Sequence, residues 1–201
     1  MIKMLTRPEL RTIERPVEQR AATDDRPTQI TGYAALFDTP ATIGGAFVEQ
    51  IDQGAFDDAL GDDVRVLFNH DPSLLLGRTT SGTASIAVDE TGLRYTVTPP
   101  DTATGREVLA LLERGDVSGS SFGFQVLADR WDEATTSTEL PVRHIEKVKL
   151  IDVSPVTMPA YVETTAEARG QAYALAKQRQ DLVEATGQRR MQLARHLVEI
   201  Q

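Results

Sequence analysis

Residues 117–124 read V-S-G-S-S-F-G-F, three serines among two glycines, closed by two phenylalanines. Small side chains and hydroxyls gathered in one place are ordinary turn chemistry. They are also what a reactive serine needs, a hydroxyl beside freely turning backbone amides. Phe122 and Phe124, two apart, predict that the segment runs into a strand with one buried face. It directly follows a helix signal, T-G-R-E-V-L-A-L-L-E-R-G at 104–115. There Thr104 and Glu107 fit a capping box, Val108, Leu111 and Leu112 share a face, and Gly115 stands at the C-terminal cap position.

Outward from this point the chain reads as many short strands. Gln29–Phe37 and the V-R-V-L-F of 64–68 have strand character, and Ile51–Leu60 predicts a tight turn at Gly54 leading into a short helix. Ser85–Val88 and Leu93–Val97 alternate about D-E-T-G and predict a hairpin. Trp131–Glu139 is polar and loop-like, and Val142–Val156 is a further strand closed by Pro155. Residues 1–27, punctuated by Pro8, Pro16 and Pro27, predict an extended N-terminal arm, leaving 28–163 as the main domain. From Thr164 to Gln201 alanine, glutamine, arginine and leucine dominate. Leu193, Leu197 and Ile200 fall on one helical face there, so a helical tail is expected, either partner-binding or packed back on the domain. The expected fold class is α+β: a β-rich domain, a small mostly antiparallel barrel flanked by helices, with that C-terminal helical tail.

Charge and composition narrow the function. The tail carries six Lys/Arg against four Asp/Glu, so the overall −9 leaves −11 on residues 1–163. An acidic body argues against nucleic acid as the main partner. No apolar run approaches the roughly 20 residues of a membrane-spanning helix, and the first residues lack the apolar stretch of a secretory signal. With no cysteine, disulfides, thiolate metal sites and cysteine nucleophiles are excluded, which fits a cytoplasmic setting. The paired aspartates (Asp24-Asp25, Asp57-Asp58, Asp62-Asp63) read as solvated loops, so neither a metal nor another cofactor is expected.

Three histidines exhaust the neutral-pH bases: His70, His144 and His196. His196 belongs to the tail and His144 to a charged strand surface. His70, in N-H-D-P directly after V-R-V-L-F, sits where regular structure ends and a side chain can be aimed into a cleft. A serine hydrolase needs a hydroxyl, a base and a group that orients the base. His70 and the serines of 118–121 supply the first two.

Six stretches in chain order resemble the prohead (capsid maturation) serine proteases of tailed bacteriophages, themselves distantly similar in fold to herpesvirus assembly proteases. They are GYAALF at 32–37, GAFDDAL at 54–60, VRVLFNHDPSLLLGRTTSGT at 64–83, GLRYTVTPPDT at 92–102, RGDVSGSSFGFQV at 114–126 and LIDVSPVTMPAY at 150–161. The resemblance implies His70 as general base. It implies Ser121, the serine directly before Phe-Gly-Phe, as nucleophile. Ser120 stands where the family usually has an apolar residue and is the rival hydroxyl, while Ser118 belongs to the turn. Asp152, in the D-V-S-P-V segment, is implied as third member. His144 is the alternative to it, because the herpesvirus enzymes use a second histidine.

The same resemblance implies an endopeptidase of the host bacterial cytoplasm, enclosed in the immature procapsid. It would cut scaffold protein, the scaffold-like N-terminal region of the major capsid protein precursor, and itself. Its partners would be those substrates, with a homo-oligomer left open and neither nucleic acid nor membrane involved. The alternative is a non-catalytic assembly or scaffold-binding module of the same fold.

Overall fold

In the computed structural model, residues 8–23, 27–136 and 138–158 are described. The tail expected from Thr164, with His196, and the pair Asp24-Asp25 lie outside them. Among the described residues eleven strands form two sheets, accompanied by one α-helix and a short 3-10 helix at Asp58–Gly61. The order is β1 (Glu9–Ile13), β2 (Glu18–Arg20), β3 (Gln29–Leu36), β4 (Ala41–Ile43), β5 (Phe47–Ile51), β6 (Arg65–Phe68), β7 (Asp71–Arg78), β8 (Ala84–Val88), β9 (Gly92–Val97), α1 (Ala103–Arg114), β10 (Gly119–Asp132) and β11 (Val142–Val156).

The larger sheet runs β1-β10-β11-β5-β4, with β6 pairing on the distal half of β11 and β7 on β6. The smaller runs β2-β3-β9-β8. Both sheets are open among the described residues, so the expected barrel is corrected to two packed sheets. The loop expected over Trp131–Glu139 begins two residues later, since strand pairing in the β10–β11 hairpin continues through Trp131 and Asp132. Trp131 earns its place there by packing edge-on against Phe47, ring centroids 5.1 Å apart. The N-terminal arm is extended but not separate: β1 joins the large sheet and β2 the small one. Residues 71–78, unassigned from sequence, form β7.

The core lies between the sheets. Phe122 and Phe124 stack at 4.7 Å, Phe56 meets Phe122 edge-on at 5.8 Å, and Phe37 lies against Phe56 at 6.1 Å. Each buried ring contributes roughly 1.5–3 kcal/mol, so Phe122 and Phe124 fix which face of β10 is internal. Helix α1 is capped two residues earlier than T-G-R-E suggests. The Thr102 side chain accepts from Gly105 N at 3.2 Å, and a Cβ on Gly105 would lie 2.0 Å from the Pro100 carbonyl oxygen. Gly115 closes the helix in the left-handed conformation, φ 80°.

One buried polar contact binds the sheets together. Tyr95 of β9 and Ser120 of β10, both essentially inaccessible, share a hydrogen bond of 3.0 Å. Burial raises the Tyr95 phenol above its ordinary value of 10.0, partly offset by the Ser120 bond. The folded chain therefore holds this proton more tightly than the unfolded chain. The associated stability is complete below about pH 10 and is lost as pH rises beyond it. Urea unfolding of the unchanged protein and Tyr95→Phe at about pH 8 and about pH 11 should show a steeper alkaline loss for the unchanged protein.

Candidate active site

Strand β10 alternates, and the alternation separates its serines. Ser120, Phe122 and Phe124 point into the core. Ser121 and Gly123 take the opposite face, opposite Ser154 and Asp152 of β11. The segment is thus a strand paired on both sides, not a turn, and its amides are committed to ladders with β1 and β11 rather than forming a free nest. Only Val117 and Ser118 remain outside it.

Opposite Asp152 the strand needs glycine. A Cβ on Gly123 would stand 2.4 Å from Asp152 Oδ1, so the carboxylate occupies the space a side chain would take. A register shift between Gly123 and Phe124 interrupts the pairing just beyond this point.

His70 reaches the same face by another route. Strand β6 pairs in parallel with β11 at Asp152 and Val153, and then turns back into β7. The turn has only two residues, Asn69 (φ 53°) and His70 (φ 59°), both left-handed. That geometry suits a two-residue hairpin but disfavours any residue with a Cβ relative to glycine. The surroundings hold it in place. Asn69 N donates to Pro155 O at 3.1 Å, and Asn69 Oδ1 accepts from Thr157 N at 2.9 Å. His70 N donates to Ser154 Oγ at 3.2 Å. A histidine held in a disfavoured conformation by several bonds is a mark of a functional position.

The result is a continuous chain of three side chains. Ser121 Oγ lies 2.6 Å from His70 Nε2, and His70 Nδ1 lies 2.5 Å from Asp152 Oδ2. Ser154 Oγ donates to the same carboxylate oxygen at 3.1 Å. Ser121, His70 and Asp152 are thus brought together, although 51 and 82 residues separate His70 from its two partners in sequence. Ser120 is not among them, being turned to Tyr95. His144 is eight residues from Asp152 on the same strand, about 26 Å along it, and lies between Asp52 (2.9 Å) and Asp132 (3.1 Å). Sequence reading missed Asn69 and Ser154. The second was recoverable, since D-V-S places Ser154 two residues from Asp152 and so on the same strand face.

Of the aspartate pairs, Asp62 accepts from Leu150 N at 2.8 Å and Asp63 grips Arg78 at 2.5 Å, so both are structural. Arg78 holds the Asp63 carboxyl well below the usual carboxylate range. Among the described residues no three His, Asp or Glu side chains converge on a common point suited to a metal ion.

Comparison with known proteins bears on this arrangement. The profile of the caudovirus prohead serine proteases matches residues 15–179. The chain belongs to that family. It is thus a protease family of bacteriophage capsid maturation. The solved structure of the bacteriophage T4 capsid assembly protease, gp21, is similar with a TM-score of 0.52 at 11% identity, over 75% of this chain and 97% of that chain. At that identity the likeness concerns the fold. No curated protein matches the sequence.

The left-handed turn yields a direct test. His70→Ala and His70→Gly both delete the imidazole, and only glycine is at ease at φ 59°. His70→Gly should therefore be the more stable of the two by about 1 kcal/mol, measured by urea unfolding. Equal stabilities would mean that the turn bears no strain.

Proposed function

We propose that this protein is a serine endopeptidase of prohead maturation, with Ser121 as nucleophile, His70 as general base and Asp152 as its orienting acid. The observation that carries the reading is the hydrogen-bonded sequence Ser121 Oγ–His70 Nε2 and His70 Nδ1–Asp152 Oδ2, set at one end of the β10–β11 hairpin in a chain of the prohead protease family.

The chemistry follows from the geometry. With its Nδ1 proton directed to Asp152, His70 presents an unprotonated Nε2 to Ser121 and takes the hydroxyl proton as Oγ attacks the scissile carbonyl. The positive imidazolium is stabilised by Asp152, which also keeps Ser154 Oγ as a donor. Protonation of the leaving amine by His70 collapses the tetrahedral intermediate to an acyl-enzyme on Ser121. Water, deprotonated by the same histidine, then releases it. Ser154 and Asn69 are positioning residues, acting through Asp152 and through the turn.

The substrates are read from the family's role in the head. They are scaffold protein and the scaffold-like N-terminal region of the major capsid protein precursor, cut inside the procapsid in the host bacterium, together with the enzyme itself. The bacteriophage T4 relative is a capsid assembly protease, which agrees with that assignment.

Co-expression with the phage's own capsid precursor tests both parts. Ser121→Ala should lower cleavage by about 10⁶-fold, and Asp152→Asn by on the order of 10⁴-fold. Ser120→Ala should leave cleavage in place and cost about 1 kcal/mol of stability, through the bond lost to Tyr95. Cleavage that survives Ser121→Ala and disappears with Ser120→Ala would transfer the nucleophile to Ser120.

A further inference from the structure

The outer face of the small sheet carries a cleft remote from Ser121. Strand β3 alternates, so Gly32 faces the core, where a Cβ would stand 3.0 Å from Tyr95 Oη and 3.1 Å from Ser120 Oγ, while Thr31 and Tyr33 face outward. Arg94 stands opposite Tyr33 on β9 and shares the outer face. Arg15 and Pro16, which link β1 to β2, line the cleft together with Glu18, Thr31, Tyr33 and Arg94, and its volume is about 400 Å³. Ser121 occupies the outer face of the large sheet, with the Tyr95–Ser120 contact between the two sites.

Both cations of the cleft are held in place, and neither is neutralised. Arg94 Nε donates to Thr31 Oγ1 at 3.3 Å, and that hydroxyl is anchored on Tyr95 O at 3.0 Å. The terminal nitrogens of Arg94 are left as a planar fork. The Arg15 guanidinium lies over the Tyr33 ring at 4.6 Å, and the ring is fixed by its hydroxyl, which donates to Asp89 Oδ2 at 2.6 Å. Elsewhere in this acidic body arginines find carboxylates: Arg11 clamps Glu49 at 2.5 and 2.9 Å, and Arg143 binds Asp129 at 2.7 Å. Among the described residues Arg15 and Arg94 form no ion pair, although Glu18 lines the same cleft. Two half-buried like charges in one cleft cost free energy that an anion returns on binding.

We propose that this cleft docks an acidic segment of a partner polypeptide, the Arg94 fork taking one carboxylate and the Arg15 guanidinium a second. A carboxylate matches the fork through two parallel N–H···O bonds. The volume exceeds that of a single small anion, and the Pro16 and Tyr33 rings give it apolar walls, which suits a peptide. Two cations in an acidic body attract a few carboxylates, whereas the closely spaced phosphates of a nucleic acid meet repulsion from the surrounding surface. The chain's own residues 164–201 carry more Lys/Arg than Asp/Glu and have the wrong sign for the site. A segment docked here leaves the Ser121 face uncovered.

Fluorescence anisotropy of a fluorescein-labelled tetraglutamate peptide, titrated with the full chain at low ionic strength, tests the site. The peptide should bind, and added salt should weaken it. Arg15→Gln and Arg94→Gln should each lower the affinity by about tenfold. Arg94→Lys, which keeps the charge and removes the fork, should lose about as much. Arg20→Gln makes the same change of charge at an exposed position of β2 outside the cleft and should leave binding unchanged. Urea unfolding confirms that each variant is folded; if Arg94→Gln is not, Arg94→Lys and Arg15→Gln decide. Absence of binding, an equal loss with Arg20→Gln, full affinity in Arg94→Lys, or affinity unchanged by the cleft variants overturns the proposal. Tighter binding of octathymidylate through the same two arginines also overturns it, in favour of a nucleic acid. The assignment of Ser121 stands or falls separately, by the cleavage assays.

Discussion

The pairing of β10 with β11 is the constraint on which the rest depends, because one register determines both the core and the reactive face. Setting Ser121 opposite Ser154 and Gly123 opposite Asp152 puts hydroxyl and carboxylate on one side of the sheet. The same register puts Phe122 and Phe124 against Phe56 on the other. A slip of one residue would turn the serine toward the aromatic core and the rings toward His70 and Asp152. The packing of several aromatic side chains therefore specifies the position of a single oxygen, without spending any of the reactive groups on stability.

Histidine enters on a separate element, and that element is disfavoured when considered alone. A two-residue turn with both residues left-handed wants Asn-Gly, and here it carries Asn-His. Asn69 satisfies the backbone of Thr157, and the turn's own amides are satisfied by Pro155 and Ser154. The end of β11 thus supplies Asp152, orients it through Ser154 and secures His70. Local strain at His70 is held by contacts that belong to the strand already fixed by the core.

This division explains what was legible in sequence. Motif order had named Ser121, His70 and Asp152, the three side chains that lie in contact, while β3, β6, the β8–β9 hairpin, β11 and the Gly115 cap were legible from periodicity and turn chemistry. The serine-rich segment was harder. Its glycines read as turn residues, whereas Gly123 is small because a carboxylate fills the space beside it, a contact made by a residue 29 positions away. The cap of α1 moved for a similar reason, since Gly105 approaches the Pro100 carbonyl and the helix begins at that contact. Closure into a barrel was a question of how strand edges meet, and no local pattern carries that information. The pairing of β1 was hidden because E-L-R-T-I is short and half polar, and its strand state depends on β10 and Glu49.

β10 has two sides of unlike character. Toward β11 it is fixed by a long hairpin, an aromatic core and the Asp152–Gly123 fit. Toward β1 it is joined by five residues and an arginine clamp. The alignment of Ser121 with His70 and Asp152 therefore rests on the β11 side of the strand, where the pairing is longest and the register is fixed by the core.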